Sequence, residues 1–340
     1  MKFTKKHLIF LIAIIGIAFF LSAYKLPYYI YKPGGADALN PIVEVADGYE
    51  SEGDMHLVTV RGGQATPVQY LWATILPNQE IMPLDKVRPE GVSEDEYFHA
   101  QLQMMESSQE ASTVVAYEAA DKDITIDYDG VYVVSVIEGM PAENILQTGD
   151  RITGIDGNVI EESNDLIDYV ENKQPGDTIT VDVVRDDEQL DKDVRLESFP
   201  DIEQKVGIGI QLVTDRRVEV NPDVNFSSGS IGGPSAGLMF SLEIYDQLTE
   251  ADLTKGYEVA GTGEVDYQGN VLRIGGIDKK VIAADQEGCQ IFFAANESGN
   301  DDSNYEEAVK TAEEIGTDME IVPVDTFDDA LQYLTDLNPA

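Results

Sequence analysis

Two short segments carry residue types that could act together on a carbonyl group. The first is the turn Ser227-Ser-Gly-Ser-Ile-Gly-Gly-Pro-Ser-Ala-Gly237, which opens onto the apolar run Leu238 to Tyr245 and reads as strand, tight turn and helix. A serine at a helix N-terminus sits beside backbone N–H groups and the positive end of the helix dipole, a setting that can stabilise an oxyanion. Ser235 occupies that place, with Gly232, Gly233 and Gly237 allowing close approach and Pro234 fixing the turn. A serine hydroxyl is a weak nucleophile until a neighbour takes its proton, so a base is required. The chain has three histidines: His7 in the apolar N-terminal segment, His56 in a strand-like run and His99 in a polar helical stretch. Lysine can serve instead where burial disfavours its ammonium form. The second segment, Gly275-Gly-Ile-Asp-Lys-Lys-Val-Ile-Ala-Ala284, supplies one. On a helix from Ile277, Lys280 shares a face with Ile277, Val281 and Ala284, while Lys279 points about 100° away. Asp278 is the unfavourable neighbour, because a carboxylate near Lys280 would hold the amine charged.

These segments need a framework to bring them together. Strand-like runs stand at Ile42–Val45, Met55–Val60, Val206–Ile210 and Val218–Val220, and a helical stretch runs from Glu94 to Ser108. Pro33-Gly-Gly35 reads as a turn. Between 116 and 198 the pattern becomes strands around one helix. Gly130–Val136 is followed by Gly149–Gly157, by a helix Ser163–Glu171 with Ser163 as its expected N-cap, and by the strand Asp177–Val184.

The order of those strands, with Gly130-Val-Tyr-Val133, Met140-Pro-Ala142, Leu146-Gln-Thr-Gly-Asp-Arg-Ile152 and Ile155-Asp-Gly-Asn158, resembles a PDZ domain. The resemblance implies a peptide added as a strand to a sheet edge, with Gly130, Val131, Tyr132 and Val133 expected to line the groove. Farther on, Gly233-Pro-Ser-Ala-Gly237, Thr262-Gly-Glu264 and Ile274-Gly-Gly-Ile-Asp-Lys-Lys280 resemble the nucleophile, intervening strand and lysine motifs of the Lon proteolytic domain, a Ser-Lys dyad peptidase. That resemblance implies Ser235 as nucleophile and Lys280 as base. It implies that backbone N–H groups near Gly233 and Ser235 hold the oxyanion, with Gly233, Pro234, Thr262 and Glu264 in oxyanion or supporting places and Thr262 orienting Lys280. No Gly-x-x-x-x-Gly-Lys-Ser/Thr phosphate loop occurs in the sequence, so no nucleotide partner is expected. No cofactor or metal is expected either. What remains resembles the bacterial membrane-anchored proteins that join a PDZ domain to a Lon-like protease.

Bulk composition narrows the reading. Against 64 acidic residues there are 22 basic ones, for a net charge of −42. Lys2, Lys5, Lys6 and Lys25 lie in or beside the N-terminal apolar segment; taking those four from the 22 leaves 18 against 64, a net of −46, beyond residue 27. Such a surface repels nucleic acid and anionic membrane. The lone Cys289 excludes an intramolecular disulfide and reads as a core thiol. Leu8 to Ala23 is apolar, preceded by lysines and followed by Tyr24, Tyr28, Tyr29 and Tyr31 as an interfacial collar. It is read as a membrane anchor, with a cleaved signal as the alternative. Lysines before it and acidic sequence after it place the N-terminus in the cytoplasm and the rest outside.

The expected fold class is α+β, with an N-terminal transmembrane helix, a PDZ-type β-rich domain with one main helix, and a Lon-type α+β proteolytic domain. The expected divisions are 1–31 stub and anchor, 32–115 strands packing with the catalytic part, 116–198 PDZ and 205–338 proteolytic. The expected function is ATP-independent serine endopeptidase action on peptides or unstructured extracytoplasmic segments, with the PDZ domain selecting substrates. Homo-oligomer formation stays open. The sequence also allows a membrane-tethered peptide-binding adaptor with an inert protease domain, because dyad residues in a sequence do not establish dyad geometry. A C-terminal-processing peptidase also joins PDZ, serine and lysine, whereas a trypsin-like protease would need a Gly-Asn-Ser-Gly-Gly turn that is absent.

Overall fold

The computed structural model describes residues 5–88, 92–199 and 205–340; Lys2 lies outside them. The chain forms two compact units, one of Met1–Asp123 with Val220–Ala340 and one of Ile124–Glu219. In sequence, the second unit interrupts the first.

The first stretch contains α1 (Lys5–Ala23), β1 (Tyr28–Ala38), β2 (Val43–Val45), β3 (Met55–Gln64), α2 (Pro67–Ala73), β4 (Glu80–Pro83), α3 (Leu84–Val87) and α4 (Glu94–Ala119). With 19 residues, α1 is about 28 Å long, close to the thickness of a bilayer's hydrocarbon core. It is apolar enough to cross a membrane, and none of it is buried in the protein.

Pro33-Gly-Gly35 is not a turn. It lies inside β1, where the register against β3 shifts between Pro33 and Ala36. The bulge accommodates a residue with no N–H, and Gly34 allows a contact no side chain would permit: a Cβ there would lie 2.3 Å from Thr59 Oγ1. Nor does the helix from Glu94 stop at Ser108; it continues through Ser-Ser-Gln-Glu-Ala-Ser-Thr-Val-Val to Ala119. Ser112 and Thr113 donate their hydroxyls to the carbonyls of Ser108 and Gln109, which removes their competition with the backbone. Burial of Val114, Val115 and Ala116 then holds β-branched residues in a helix.

The inserted stretch contains β5 (Asp123–Val136), β6 (Arg151–Ile155), β7 (Asn158–Val159), α5 (Ser163–Glu171), β8 (Thr178–Arg185), β9 (Glu188–Arg195), β10 (Glu197–Ser198), β11 (Val206–Gly207) and β12 (Ile210–Asn221). Its main sheet runs β12-β5-β6-β8-β9 over a core that includes Val131, Ile152, Ile155, Leu166, Ile179 and Val181. The sheet takes in β12, well past residue 198. The N-cap of α5 is Glu162; Ser163 is its first helical residue, and the Asp165 carboxylate accepts from the Glu161 and Glu162 amides.

The last stretch contains β13 (Val224–Phe226), α6 (Gly237–Leu248), β14 (Val259–Thr262), β15 (Glu264–Val265), β16 (Val271–Leu272), α7 (Ile277–Glu287), β17 (Ile291–Ala295), α8 (Asn304–Ile315), β18 (Glu320–Val324) and α9 (Phe327–Asp336). Its strands join those of the first stretch in one sheet, ordered β18-β17-β14-β3-β1-β4. β3, β14, β17 and β18 are parallel neighbours, and β1 and β4 add antiparallel pairs. β14 and β17 are buried at every residue, as expected for parallel strands covered on both faces. Ile277, Val281 and Ala284 of α7 pack with Val58, Ala260 and Phe292, and buried Cys289 joins that cluster. Burial pushes the Cys289 thiol up to about 12, so it stays protonated.

α6 is buried over most of its length and includes Glu243, whose carboxyl is pushed up to about 7 by desolvation. The hydrogen bond from Gln247 opposes that shift, and Asp246 and Asp54 reinforce it. In the fold Glu243 therefore retains a proton that the unfolded chain releases between the ordinary glutamate value of 4.5 and about 7, and stability falls as pH rises through that window. Glu243→Gln keeps an acceptor for Gln247 and removes the titration. It is expected to stabilise the chain by on the order of 2 kcal/mol at pH 8 and by much less at pH 4. Thermal unfolding at the two pH values measures this.

Candidate active site

Ser235 lies between Pro234 and Ala236, the N-cap residue of α6. It stands just before the helix, at the end of a turn in which Gly233 has φ +92°. Side chains and backbone amides hold each carbonyl around it. Ser108 of α4 donates its hydroxyl to Pro234 O at 2.8 Å. Thr262 Oγ1 at 2.9 Å and the Gly263 amide at 3.1 Å both donate to Ser235 O. Ser241 donates to Gly237 O at 2.9 Å, and the Ser112 hydroxyl, whose one proton is shared with Ser108 O, lies at the same distance from it. In a trans peptide the N–H points opposite to the C=O. Anchoring the carbonyls of Pro234 and Ser235 thus turns the amides of Ser235 and Ala236 away from Ser108 and Thr262, respectively.

Gly233 does not play the part expected of it. Its amide donates to the carbonyl of Gln101 on α4 at 2.8 Å, so that donor is already engaged. The contact is close, since a Cβ on Gly232 would lie 2.8 Å from Gln101 Cβ.

Lys280 comes from the first turns of α7, which starts after Gly276 in the left-handed region, φ +71°. Only 4% of Lys280 is exposed. Its Nζ lies 2.5 Å from Ser235 Oγ and 2.9 Å from Thr262 Oγ1. Desolvation lowers its pKa to about 7. The Asp278 carboxylate turns to Lys279 instead, with contacts of 2.9 and 3.0 Å, and Glu80 of β4 adds a third at 2.6 Å. Burial, the largest effect on Lys279, pulls its amine down, but the hydrogen bonds it donates to Glu80 and Asp278 outweigh it and the net shift is upward. Adjacent lysines are thus split, one held charged by carboxylates and the other pushed toward neutrality by burial.

Ser235 and Lys280 open onto a cavity of about 970 Å³ whose walls include Val60, Arg61, Glu80, Gln101 and Glu264. Desolvation raises the Glu264 carboxyl, with repulsion from Asp266 adding to it. One wall is β3, whose pairing with β14 ends at Gly261↔Leu57, so that Val58 to Arg61 present a sheet edge to the cavity.

The histidines lie elsewhere. His56 is buried, with Nε2 2.6 Å from Glu258, and His99 is exposed on α4. Ser228 accepts a hydrogen bond from Gln109, as befits a loop residue. Sequence reasoning missed Ser108, Ser112 and Gln101; the one signal for the serines was their spacing of four on a helix.

In the other unit, Gly130–Val133 lies on β5, which runs between β12 and β6. Val131 and Val133 are buried in the core and the strand has a neighbour on each side, so this segment offers no free edge; Tyr132 is half-buried, and its hydroxyl accepts from Arg151 at 2.8 Å. The edge strands are β9 and β12, and β12 follows the Val206-Gly-Ile-Gly209 segment. Near the start of α5, Thr214 Oγ1 accepts from the Ser163 amide at 3.0 Å, which brings β12 against that helix.

Comparison with known proteins fits both halves. Residues 101–196 match the PDZ domain family, and residues 208–336 match the Lon protease (S16) C-terminal proteolytic domain. The Lon protease of Campylobacter jejuni is 33% identical over 138 residues, which is 38% of this chain and 16% of that protein. The peroxisomal Lon protease homolog 2 of Caenorhabditis elegans is 30% identical over 134 residues, 39% of this chain and 16% of that protein. The match thus spans about a sixth of the length of these relatives. Among solved structures, the PDZ domain of the SdrC-like protein from Listeria monocytogenes is 40% identical, covering 26% of this chain and 93% of that one with a TM-score of 0.25.

Proposed function

From a chain that carries a PDZ domain and a Lon-type proteolytic domain, we infer a serine endopeptidase that uses Ser235 and Lys280 and needs no ATP. The observation that carries this reading is the 2.5 Å contact between Ser235 Oγ and a buried amine with a pKa of about 7. Neutral Lys280 takes the proton of Ser235 as Oγ bonds to the peptide carbonyl carbon. The oxyanion is met by the amides of Ser235 and Ala236. As the C–N bond breaks, the Lys280 ammonium returns its proton to the leaving amine. Water then attacks the ester, giving its proton to Lys280, and the released serine recovers it. Thr262 accepts from Lys280 and donates to Ser235 O, which orients the amine and the nucleophile loop together.

The β3 edge at Val58–Arg61 favours an extended substrate, so peptides and unstructured segments are the fitting class. In the PDZ unit the edge of β12 is where a peptide strand would add, which makes that unit the selector or positioner of substrate. With Lys2, Lys5 and Lys6 ahead of the apolar run Leu8–Ala23, the chain beyond α1 lies outside the cytoplasm. The reading is tested by incubating the full chain in detergent with an unfolded protein and no nucleotide, and following fragments by mass spectrometry. Cleavage that vanishes in Ser235→Ala supports it. Cleavage that requires ATP, or an intact substrate retained by the PDZ unit, would replace it with a nucleotide-driven enzyme or an adaptor.

Ser108 acts in this scheme as a positioning residue through Pro234. Ser108→Ala is expected to lower kcat about 10-fold with KM nearly unchanged, a fraction of what losing an oxyanion donor costs. Affinity for a peptidyl boronate should fall in parallel, and Ser108→Thr should restore both. A merely structural role would change stability and leave the kcat-to-KM split unmoved.

A further inference from the structure

Among the described residues outside α1, four large exposed apolar side chains fall within one short segment, Leu71 to Leu76. Gly62 to Gln79 contains no charged residue, although a quarter of the chain is charged. Within it α2 is a well-made helix, with Thr66 in a capping box and Pro67 in its first turn. Its inward side, Tyr70 and Ala73, packs with Leu26, Ile30 and Ala65. Its outward side and the turn after it leave Leu71, Trp72, Ile75 and Leu76 exposed by 63, 56, 67 and 45%. Four large apolar side chains side by side in water mark an interaction surface.

The position of this surface identifies the partner. The chain leaves α1 at Ala23, and the residues that follow are tied to those just before α2. Leu26 donates its amide to Ala65 O at 2.7 Å, Gln64 Nε2 donates to Leu26 O at 2.9 Å, and Ala65 donates its amide to Tyr28 O at 2.8 Å. A seven-residue helix extends only about 10 Å, so α2 stays close to Leu26, three residues past the end of α1. Tryptophan, leucine and isoleucine without charge suit the headgroup–acyl boundary, where tryptophan concentrates. The acidic balance of the chain favours zwitterionic over anionic lipid.

We propose that Leu71, Trp72, Ile75 and Leu76 insert into the interface of the membrane that α1 spans, as a second contact that fixes the catalytic unit on the bilayer. The proposal rests on the reading of α1 as a membrane span. β3 leads from this contact at Gln64 to the cleft wall at Arg61, about 10 Å away at strand rise, so the second contact sets the cleft close to the membrane surface.

Trp72 is the only tryptophan in the chain, so fluorescence reports on this surface alone. The full chain would be reconstituted in phosphatidylcholine vesicles with and without dibrominated acyl chains, and flotation would score the anchor separately. The expected result is co-flotation, at least 2-fold quenching of Trp72 by the brominated lipid and weak quenching by acrylamide. Leu71→Asp with Ile75→Asp should float equally well yet lose the lipid quenching and gain acrylamide quenching. Flotation without lipid quenching overturns the second contact while leaving the span. Absence of flotation overturns the span and the proposal with it. Protection from acrylamide that depends on protein concentration and not on lipid assigns the surface to a second copy of the chain and overturns the lipid contact.

Discussion

Replacing Lys280 with methionine is expected to abolish peptide cleavage, with a loss of 1,000-fold or more in kcat, while the chain stays folded. Removing a general base usually costs about 10²- to 10⁴-fold, and in the proposed scheme Lys280 also activates the nucleophile. Methionine fits because the site is buried and because Val281, Ala284 and Ile277 already surround that face of α7 with apolar atoms. Ser235→Ala should lose as much, and the double variant no more than either single one, since two groups serving one proton transfer are not additive. Lys280→Arg should be as inactive as the methionine variant, because a guanidinium stays protonated and cannot accept the serine proton. Stability separates loss of chemistry from loss of fold. With a folded pKa of about 7 against the ordinary lysine value of 10.5, the unfolded chain binds the extra proton between those values. Wild-type stability should therefore rise with pH across that window, and Lys280→Met should lack that contribution. Thermal melts from pH 7 to pH 10 would detect the difference.

The pH dependence of turnover carries the second large effect. Only the neutral amine can take the serine proton, so kcat/KM should rise with pH, bend near pH 7 and then level. At pH 5 the rate should be about 100-fold below the plateau, from one proton across two pH units. A lysine left in water would instead give a rate still climbing tenfold per unit at pH 9. Two features keep the bend low: burial of Lys280 and the engagement of Asp278 with Lys279. Lys279→Met releases Asp278 and should move the bend upward, which a pH profile of that variant reads directly.

The pair was legible in the sequence because its signals are local. A glycine-rich turn before an apolar helix marked Ser235, and three apolar residues on one face of α7 marked Lys280 over its neighbour. Asp278 was legible only as a concern, because the Glu80 that shares its lysine lies on β4, remote in sequence. The oxyanion assignment failed at Gly233 for a similar reason: its amide partner is a carbonyl of α4, which precedes the inserted unit. Ser108 went unseen because a serine on a helix carries no mark of what it will meet 126 residues later. The peptide-binding assignment at Gly130–Val133 went astray on strand order. An alternating segment announces a strand and says nothing of whether a distant strand will cover it, and here β12 does. Pro33-Gly-Gly35 misled in the opposite sense, since residues that usually turn the chain here let β1 press against Thr59.

The central claim is that Ser235 becomes acylated with Lys280 as its base. The full chain in detergent would be given a peptide thioester, whose acyl transfer outruns hydrolysis, then quenched in acid and mapped by mass spectrometry. The expected increment equals the acyl group, sits on the peptide containing Ser235, and is missing from Ser235→Ala and from Lys280→Met. An increment on Ser228 or Ser230, or turnover that persists in Ser235→Ala, would contradict it.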